Sequence, residues 1–583
     1  MSAFILFHGQ DSTMVDKAKL AFSYRGFRGE RLFETSAGTL LLYPKQNVAE
    51  NNYYLFENCS VYSVGTVVYK GLTYGDSLKN LAVDFSNGVL ETDKLRGSFV
   101  VLFDKDSQVS IMTDKTHMYR LFTDRRKAFL SSSLMIAASF NPFKINEDAV
   151  VEQLLCGYVG GGQTLVQDVS DVSFEISKID WVKEVESITI LEKKSKNGGN
   201  AKCRAKVNAD VLHNYLQDVK AISVQHGAEC GLSGGCDSRL VFSSVNIDCA
   251  PMKSIHTHQT SSIHNKEIEV VKQLSHLYNI PLKIIPTTFL PFYDGNIDEV
   301  LRENVLYYDA RNAGNIGAMS QTHTRQYKKD TSGKVAVTFS GIGGEIYRNF
   351  YFTNLPIFNV QGWYESRIFE PGTWRLFPVK TYKDAVKRIS VKISQRAKIR
   401  FGKCAFLNMP KRYFDSYRIP YALGNVVNAN NQMSFYLAPF TEQCFIEEAK
   451  KDRRLQDHSG KYEGKILMQF DPKAAMIETS RGFTPSNIPF SVMFKWKLMG
   501  MFPAFVWRFY EKRQRNDPKR KEAYASLKSR SPYFCEALSY FQSLFPDWSY
   551  QIADEGSIPL NSFVFTVCAV YELSKMNGNN EII

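Results

Sequence analysis

The sequence predicts an α+β front half built on antiparallel strands, followed by an α/β rear half with a parallel sheet and a helical tail. Three observations carry this. In the front half, Leu95-Arg96-Gly97-Ser98-Phe99-Val100-Val101-Leu102-Phe103-Asp104, Ile111-Met112-Thr113-Asp114 and Phe129-Leu130-Ser131-Ser132-Ser133 are apolar runs separated by turn residues, as in antiparallel strands. In the rear half, Ala221-Ile222-Ser223-Val224 reads as a strand, residues 231–239 (Gly-Leu-Ser-Gly-Gly-Cys-Asp-Ser-Arg) as a glycine turn, and Leu240-Val241-Phe242 as a helix start. The same grammar returns where Val335-Ala336-Val337-Thr338 runs into Phe339-Ser340-Gly341-Ile342-Gly343-Gly344-Glu345.

The remaining elements follow in order. At 583 residues the chain predicts two or three units, divided as 1–200, 207–490 and 491–583. Lys193-Lys194-Ser195-Lys196-Asn197-Gly198-Gly199-Asn200 is the clearest linker. A helix with the pattern Lys-Glu-Ile-Glu-Val-Val-Lys-Gln-Leu starts at Lys266, and a strand spans 280–285. Residues 349–431, rich in aromatic and basic side chains, read as helices and loops over a crevice, and beyond 490 the pattern is helical and aromatic.

The first glycine turn has the chemistry of an anion site. Gly234 and Gly235 let the backbone approach an anion closely, and amides at a helix start point their partial positive charge at it. Leu232, Ser233 and Ser238 complete the loop, with two hydroxyl donors, and Asp237 offers a hard oxygen for Mg²⁺. No Gly-Lys-Ser/Thr follows the glycines, which excludes a Walker A loop. Two such turns at the carboxyl ends of parallel strands face one crevice. Ser340 and Gly341 therefore join the expected nucleotide site, and Asp237 and Glu345 the expected metal pair.

Ser233-Gly234-Gly235-Cys236-Asp237-Ser238 resembles the PP-loop ATP pyrophosphatases, and its pairing with Ser340-Gly341-Ile342-Gly343-Gly344-Glu345 resembles the asparagine synthetase family. Ala438-Pro439-Phe440 and Gly464-Lys465-Ile466-Leu467 extend the likeness, as do the strands after Leu95 and the segment Gly162-Gln163-Thr164-Leu165. The resemblance implies a glutaminase-like β-sandwich domain of the N-terminal nucleophile type, then a PP-loop synthetase domain using ATP and Mg²⁺. It places Lys465 at the departing pyrophosphate and Thr257 beside the adenine.

Four residues depart from the family. The chain begins Met1-Ser2-Ala3-Phe4 where a working glutaminase exposes a cysteine, and Gly65-Thr66 stands where the family has an Asn-Gly oxyanion pair. Ile342 replaces the Glu of asparagine synthetases or the Tyr of β-lactam synthetases. Arg481, in Thr479-Ser480-Arg481-Gly482-Phe483, replaces a β-lactam-branch Lys and reads as an anion clamp, because a guanidinium does not give up its charge. The expectation is ATP-dependent amide formation through an acyl-adenylate without glutamine hydrolysis, with Lys465 and Arg481 acting on the phosphates. Ring closure of a peptide or small molecule is favoured, as in lasso-peptide cyclases and β-lactam synthetases. The alternatives are intermolecular amidation with free ammonia or another amine, and a non-catalytic binding or scaffold descendant. Expected partners are a carboxylate-bearing substrate such as a precursor peptide, and companion biosynthetic proteins.

Composition narrows the setting. The ten cysteines have no Cys-x-x-Cys spacing, which argues against zinc or a disulfide framework, and a reducing cytoplasm is the expected compartment. His256-Thr257-His258, with His264 nearby, lacks the Cys or acid that a zinc set needs. The chain's net charge is +13, and its densest basic run, residues 508–521, is read as a solvated helix face in preference to a nucleic-acid surface. No apolar run reaches the roughly 18 residues of a membrane span. The nearest candidate, 498–507, is broken by Pro503 and reads as a buried helix, with peripheral membrane contact as the alternative.

Overall fold

The computed structural model describes residues 2–173 except 10, and 201–578 except 261–264, 313–318, 333–335, 352, 354, 356, 399–403, 407–408, 453–455, 457, 504–505 and 507–516. The linker 193–200, His264 and most of the basic run after 508 lie outside the described residues.

The front half is rich in antiparallel sheet. Six strands are ordered Val169–Asp171, Phe122–Asp124, Phe129–Ser131, Ala3–Phe7, Gly38–Tyr43, Arg31–Thr35, and four more Tyr53–Phe56, Cys59–Gly65, Phe99–Lys105, Gln108–Thr113. Strand alternation puts Phe4, Leu6, Leu40 and Leu42 of the first sheet against Tyr62, Val64, Val100 and Leu102 of the second, which forms a closed apolar core between them. The opposite faces, with Ile5, Leu41, Val61 and Val101, belong to the larger core that the helices Ser12–Tyr24 and Tyr74–Ser86 join through Phe22 and Leu81.

The rear half carries five parallel strands in the order Leu282–Thr287, Met252–Thr260, Ala228–Gly231, Val337–Phe339, Phe435–Leu437. The strand that feeds the first glycine turn is Ala228–Gly231, and Ala221-Ile222-Ser223-Val224 lies in the helix Lys220–His226. That expectation fails because a four-residue apolar run suits a buried strand and a buried helix turn equally well. The true strand was hidden by the polar Glu229 in its middle, which is itself buried.

The two halves share one continuous core. Arg25, on the front half, forms a buried ion pair with Asp309 at 3.1 Å, and Ser133 Oγ donates to the same carboxylate at 2.7 Å. The last helix, Leu560–Gly578, packs on Leu134–Ser139, Glu147–Cys156 and Ile297–Tyr307. Tyr24 donates to its Glu572 at 2.6 Å. The helix Phe490–Met499 buries none of its residues, and Leu498, Met501 and Phe502 are exposed. Those described residues of 498–507 are therefore not the buried helix that their composition suggests. Among the described residues, no helix is long and apolar enough to cross a membrane.

Candidate active site

The strand Ala228–Gly231 delivers loop 233–238 to the start of the helix Asp237–Asp248. The loop is internally braced: the Ser233 amide donates to Ser238 Oγ at 2.9 Å, the two hydroxyls lie 2.8 Å apart, and the Gly235 amide donates to Ser233 Oγ at 3.3 Å. The Gly234 amide donates at 3.1 Å to the carboxylate of Glu267, on the following helix Asn265–Tyr278.

Turn 340–345 lies directly on this loop. A Cβ on Gly341 would come within 2.6 Å of the Ser238 nitrogen, and one on Gly344 within 2.4 Å of Asp237 Oδ1, so glycine at both positions is what lets the turns touch. The turn is anchored from below, where the Ser340 amide donates to Leu437 O of the edge strand at 2.9 Å. The Ile342 amide donates to Ser340 Oγ at 3.3 Å, and the Ile342 side chain packs against the apolar core.

This juxtaposition gathers three carboxylates. Arg348 pairs with Asp237 and reaches Glu463 at 2.8 Å. Burial first, and then Asp237, pushes the Glu345 carboxyl up. Burial pushes Glu463 well up, with Arg348 opposing. Asp237 Oδ1 and both Glu463 oxygens are buried without a hydrogen-bond partner. Three acids facing one contacting guanidinium, with Arg418 adding positive charge from further off at Glu345, leave an excess of negative charge. That donor set, all hard oxygens with three of them lacking a hydrogen-bond partner, suits a divalent cation such as Mg²⁺. Among the described residues no cluster of three or more His, Cys, Asp or Glu is arranged to hold a metal by itself, so a cation here would need ligands from its substrate.

The second wall comes from residues 479–483. Buried Arg239 donates to Ala474 O at 3.1 Å, Ile477 O at 2.6 Å and Glu478 O at 2.9 Å, which ties this segment to the loop's own helix. The Ser480 amide then donates to Gly234 O at 3.1 Å, and the adjoining Arg481 is exposed at the rim. Lys465 lies on the helix Lys461–Phe470, half-buried and two residues beyond Glu463. Two residues turn a helix through about 200°, so Lys465 leaves that helix on a different side from the acid that meets Arg348.

No protein-family model and no curated protein matches the chain.

Beside the two turns, a cavity of 220 Å³ opens on the sheet face, lined by Glu229, Gly231, His256, His258, Lys328 and Ser340 among others. Burial drives the imidazoles of His256 down to about 3 and His258 down to about 4, so both are neutral near pH 7. Glu229 accepts from Thr338 Oγ1 at 2.8 Å, yet burial pushes its carboxyl up to about 7. Thr257, between the histidines, points to the other face and is buried. Sequence reasoning singled out the loop, the second turn, Lys465 and Arg481. It missed Glu267, Arg348, Glu463 and Ser480, although Arg348 follows Glu345 by three positions and Glu463 precedes Lys465 by two.

Proposed function

We propose that the protein is an ATP-dependent, AMP-forming carbon–nitrogen ligase of the asparagine synthetase type that lacks its own glutaminase. The observation that carries this reading is the packing of turn 340–345 onto loop 233–238, which sets Glu345 beside Asp237 at the carboxyl ends of parallel strands, with Glu463 joined to Asp237 through Arg348. Such a crevice is where open parallel sheets bind nucleotides.

In this reading Asp237 and Glu345, together with oxygens of the bound phosphates, would hold Mg²⁺, which would neutralise phosphate charge. Ser233, Gly235 and Ser238 would exchange their hydrogen bonds to one another for bonds to the pyrophosphate, Leu232 and Thr257 border the adenine, and Ser340 and Gly341 join the nucleotide site. The substrate carboxylate attacks the α-phosphorus, pyrophosphate leaves, and an amine then displaces AMP to form the amide. Arg481 stands at the rim beside Gly234, where a departing pyrophosphate needs a fixed positive charge. Lys465 keeps its phosphate role only if the pyrophosphate extends round that helix. The amine needs a proton acceptor that Ile342 cannot be. Glu229, in the adjoining cavity with a carboxyl near 7, has the proton affinity for that task. Closing a substrate on its own amine needs no ammonia supply and accords with Ser2 and Gly65 in the front half.

A second reading, a non-catalytic descendant, is favoured by Arg348 standing between Asp237 and Glu463 and by Glu267 occupying the Gly234 amide. Calorimetry with Mg·ATP separates the two. The ligase reading expects binding to wild type, its loss in Asp237→Ala, and pyrophosphate release with a carboxylate substrate. Absence of ATP binding to folded wild-type protein overturns it.

A further inference from the structure

The helix Phe490–Met499 stands out from a structure whose other apolar helices are packed. Phe490 is 75% exposed, Phe494 56% and Leu498 48%, and Met501 at 51% continues the apolar surface beyond the helix. Contiguous exposed apolar side chains of this kind mark an interaction site. Two lysines, Lys495 and Lys497, stand exposed among them, on a chain of net charge +13.

We propose that this helix seats the protein on an anionic lipid bilayer. Val492, Met493, Trp496 and Met499 are half-buried and hold one side of the helix to the body, while the opposite side carries Phe490, Phe494 and Leu498 as an exposed apolar stripe flanked by Lys495 and Lys497. An apolar stripe bordered by cations on both sides suits a helix lying in the plane of an acidic bilayer interface. At about 1.5 Å per residue the helix rises roughly 15 Å, about half of a ~30 Å hydrocarbon core, so it enters one leaflet and does not cross. The two lysines, with the chain's excess positive charge, select acidic headgroups. The Trp496 ring packs 4.4 Å from His458, and a ring nitrogen of His458 lies 3.2 Å from Asn349 O, which fixes the helix to the same body as the candidate site.

The test is co-sedimentation of the full chain with vesicles of phosphatidylcholine alone and of phosphatidylcholine mixed with phosphatidylglycerol. Binding is expected only to the mixed vesicles, weakened by added salt and reduced at least about tenfold in a Phe490→Ser, Phe494→Ser double variant. Lys495→Glu, which changes no apolar group, should weaken binding as well and stands in if the double variant fails to fold. The proposal is overturned if wild type ignores both vesicles, if both variants bind as wild type does, or if light scattering finds a self-associated species that the double variant breaks up without any vesicle binding.

Discussion

Replacing Gly341 by alanine tests the contact on which the candidate site depends. The new methyl would sit 2.6 Å from Ser238 N and 2.7 Å from Asp237 C, where ordinary contact begins at 3.4 Å. Both neighbours are backbone, so no side chain can swing away, and the turn must back off by about 0.8 Å or the fold must hold the strain. Overpacking of this kind costs about 1–3 kcal/mol. If the fold holds it, the melting temperature falls. If the turn relaxes outward, bringing it back around Mg·ATP costs the ligand the same energy, and affinity drops by roughly 5- to 150-fold. The assay pairs a thermal melt with calorimetric titration of Mg·ATP on wild type, Gly341→Ala and Gly75→Ala. Gly75 lies in the helix Tyr74–Ser86 with nothing within 4 Å of its would-be Cβ, so alanine there is expected to be neutral or stabilising by up to about 1 kcal/mol. Indistinguishable melts and affinities for Gly341→Ala and Gly75→Ala would refute the claim that the turns are held in contact.

Two further outcomes follow from the same charges. Arg348→Met leaves Asp237 and Glu463 without their bridging cation and should lower stability by about 3 kcal/mol. Millimolar Mg²⁺ should then raise the variant's melting temperature more than that of wild type, and a melt insensitive to Mg²⁺ would remove the metal role of Asp237. For Glu229, burial lifts the carboxyl from 4.5 to about 7, so the unfolded chain loses the proton before the folded one does. The cost to the fold is absent below about pH 4.5 and complete above about pH 7, approaching 3 kcal/mol. Glu229→Gln should therefore gain on wild type as pH rises through that window. Urea midpoints whose difference stays constant between pH 5 and pH 7.5 would contradict the assignment.

The legible part of this chain is the part written in short-range grammar. Loop 231–239 and turn 339–345 could be found because each concentrates glycine, hydroxyls and an acid within a few positions, and parallel-sheet geometry brings such turns to one edge. Glu267, Arg348 and Glu463 were out of reach for a different reason. A lone acid or arginine on a helix has no local signature, and its role arises only when three distant segments meet. The strand Ala228–Gly231 was misplaced by a buried glutamate that breaks its apolar pattern, and that residue's perturbed carboxyl is what makes the strand chemically interesting. The tail failed in the opposite direction. Residues 490–502 carry the composition of a core helix, and composition cannot report that the protein covers only one side of them.

The front half bears on the site through structure rather than chemistry. Ser2 is buried, its amide donates to Gln432 O at 3.1 Å, and its hydroxyl accepts from the Gly65 amide at 3.2 Å. Both polar groups of a would-be nucleophile are thus taken up in bracing. Thr66, the next residue, hydrogen-bonds to Asn431 and accepts from the Tyr436 amide at 3.2 Å. Tyr436 belongs to the strand Phe435–Leu437, whose Leu437 carbonyl holds the Ser340 amide. A continuous path therefore runs from Ser2 through Gly65, Thr66 and the edge strand to the turn that closes on Asp237. The front half therefore has a physical reason to be retained, because without it the edge strand would lose the hydrogen bonds that fix the height of Ser340. On the ligase reading, that makes the front half the scaffold of the second turn.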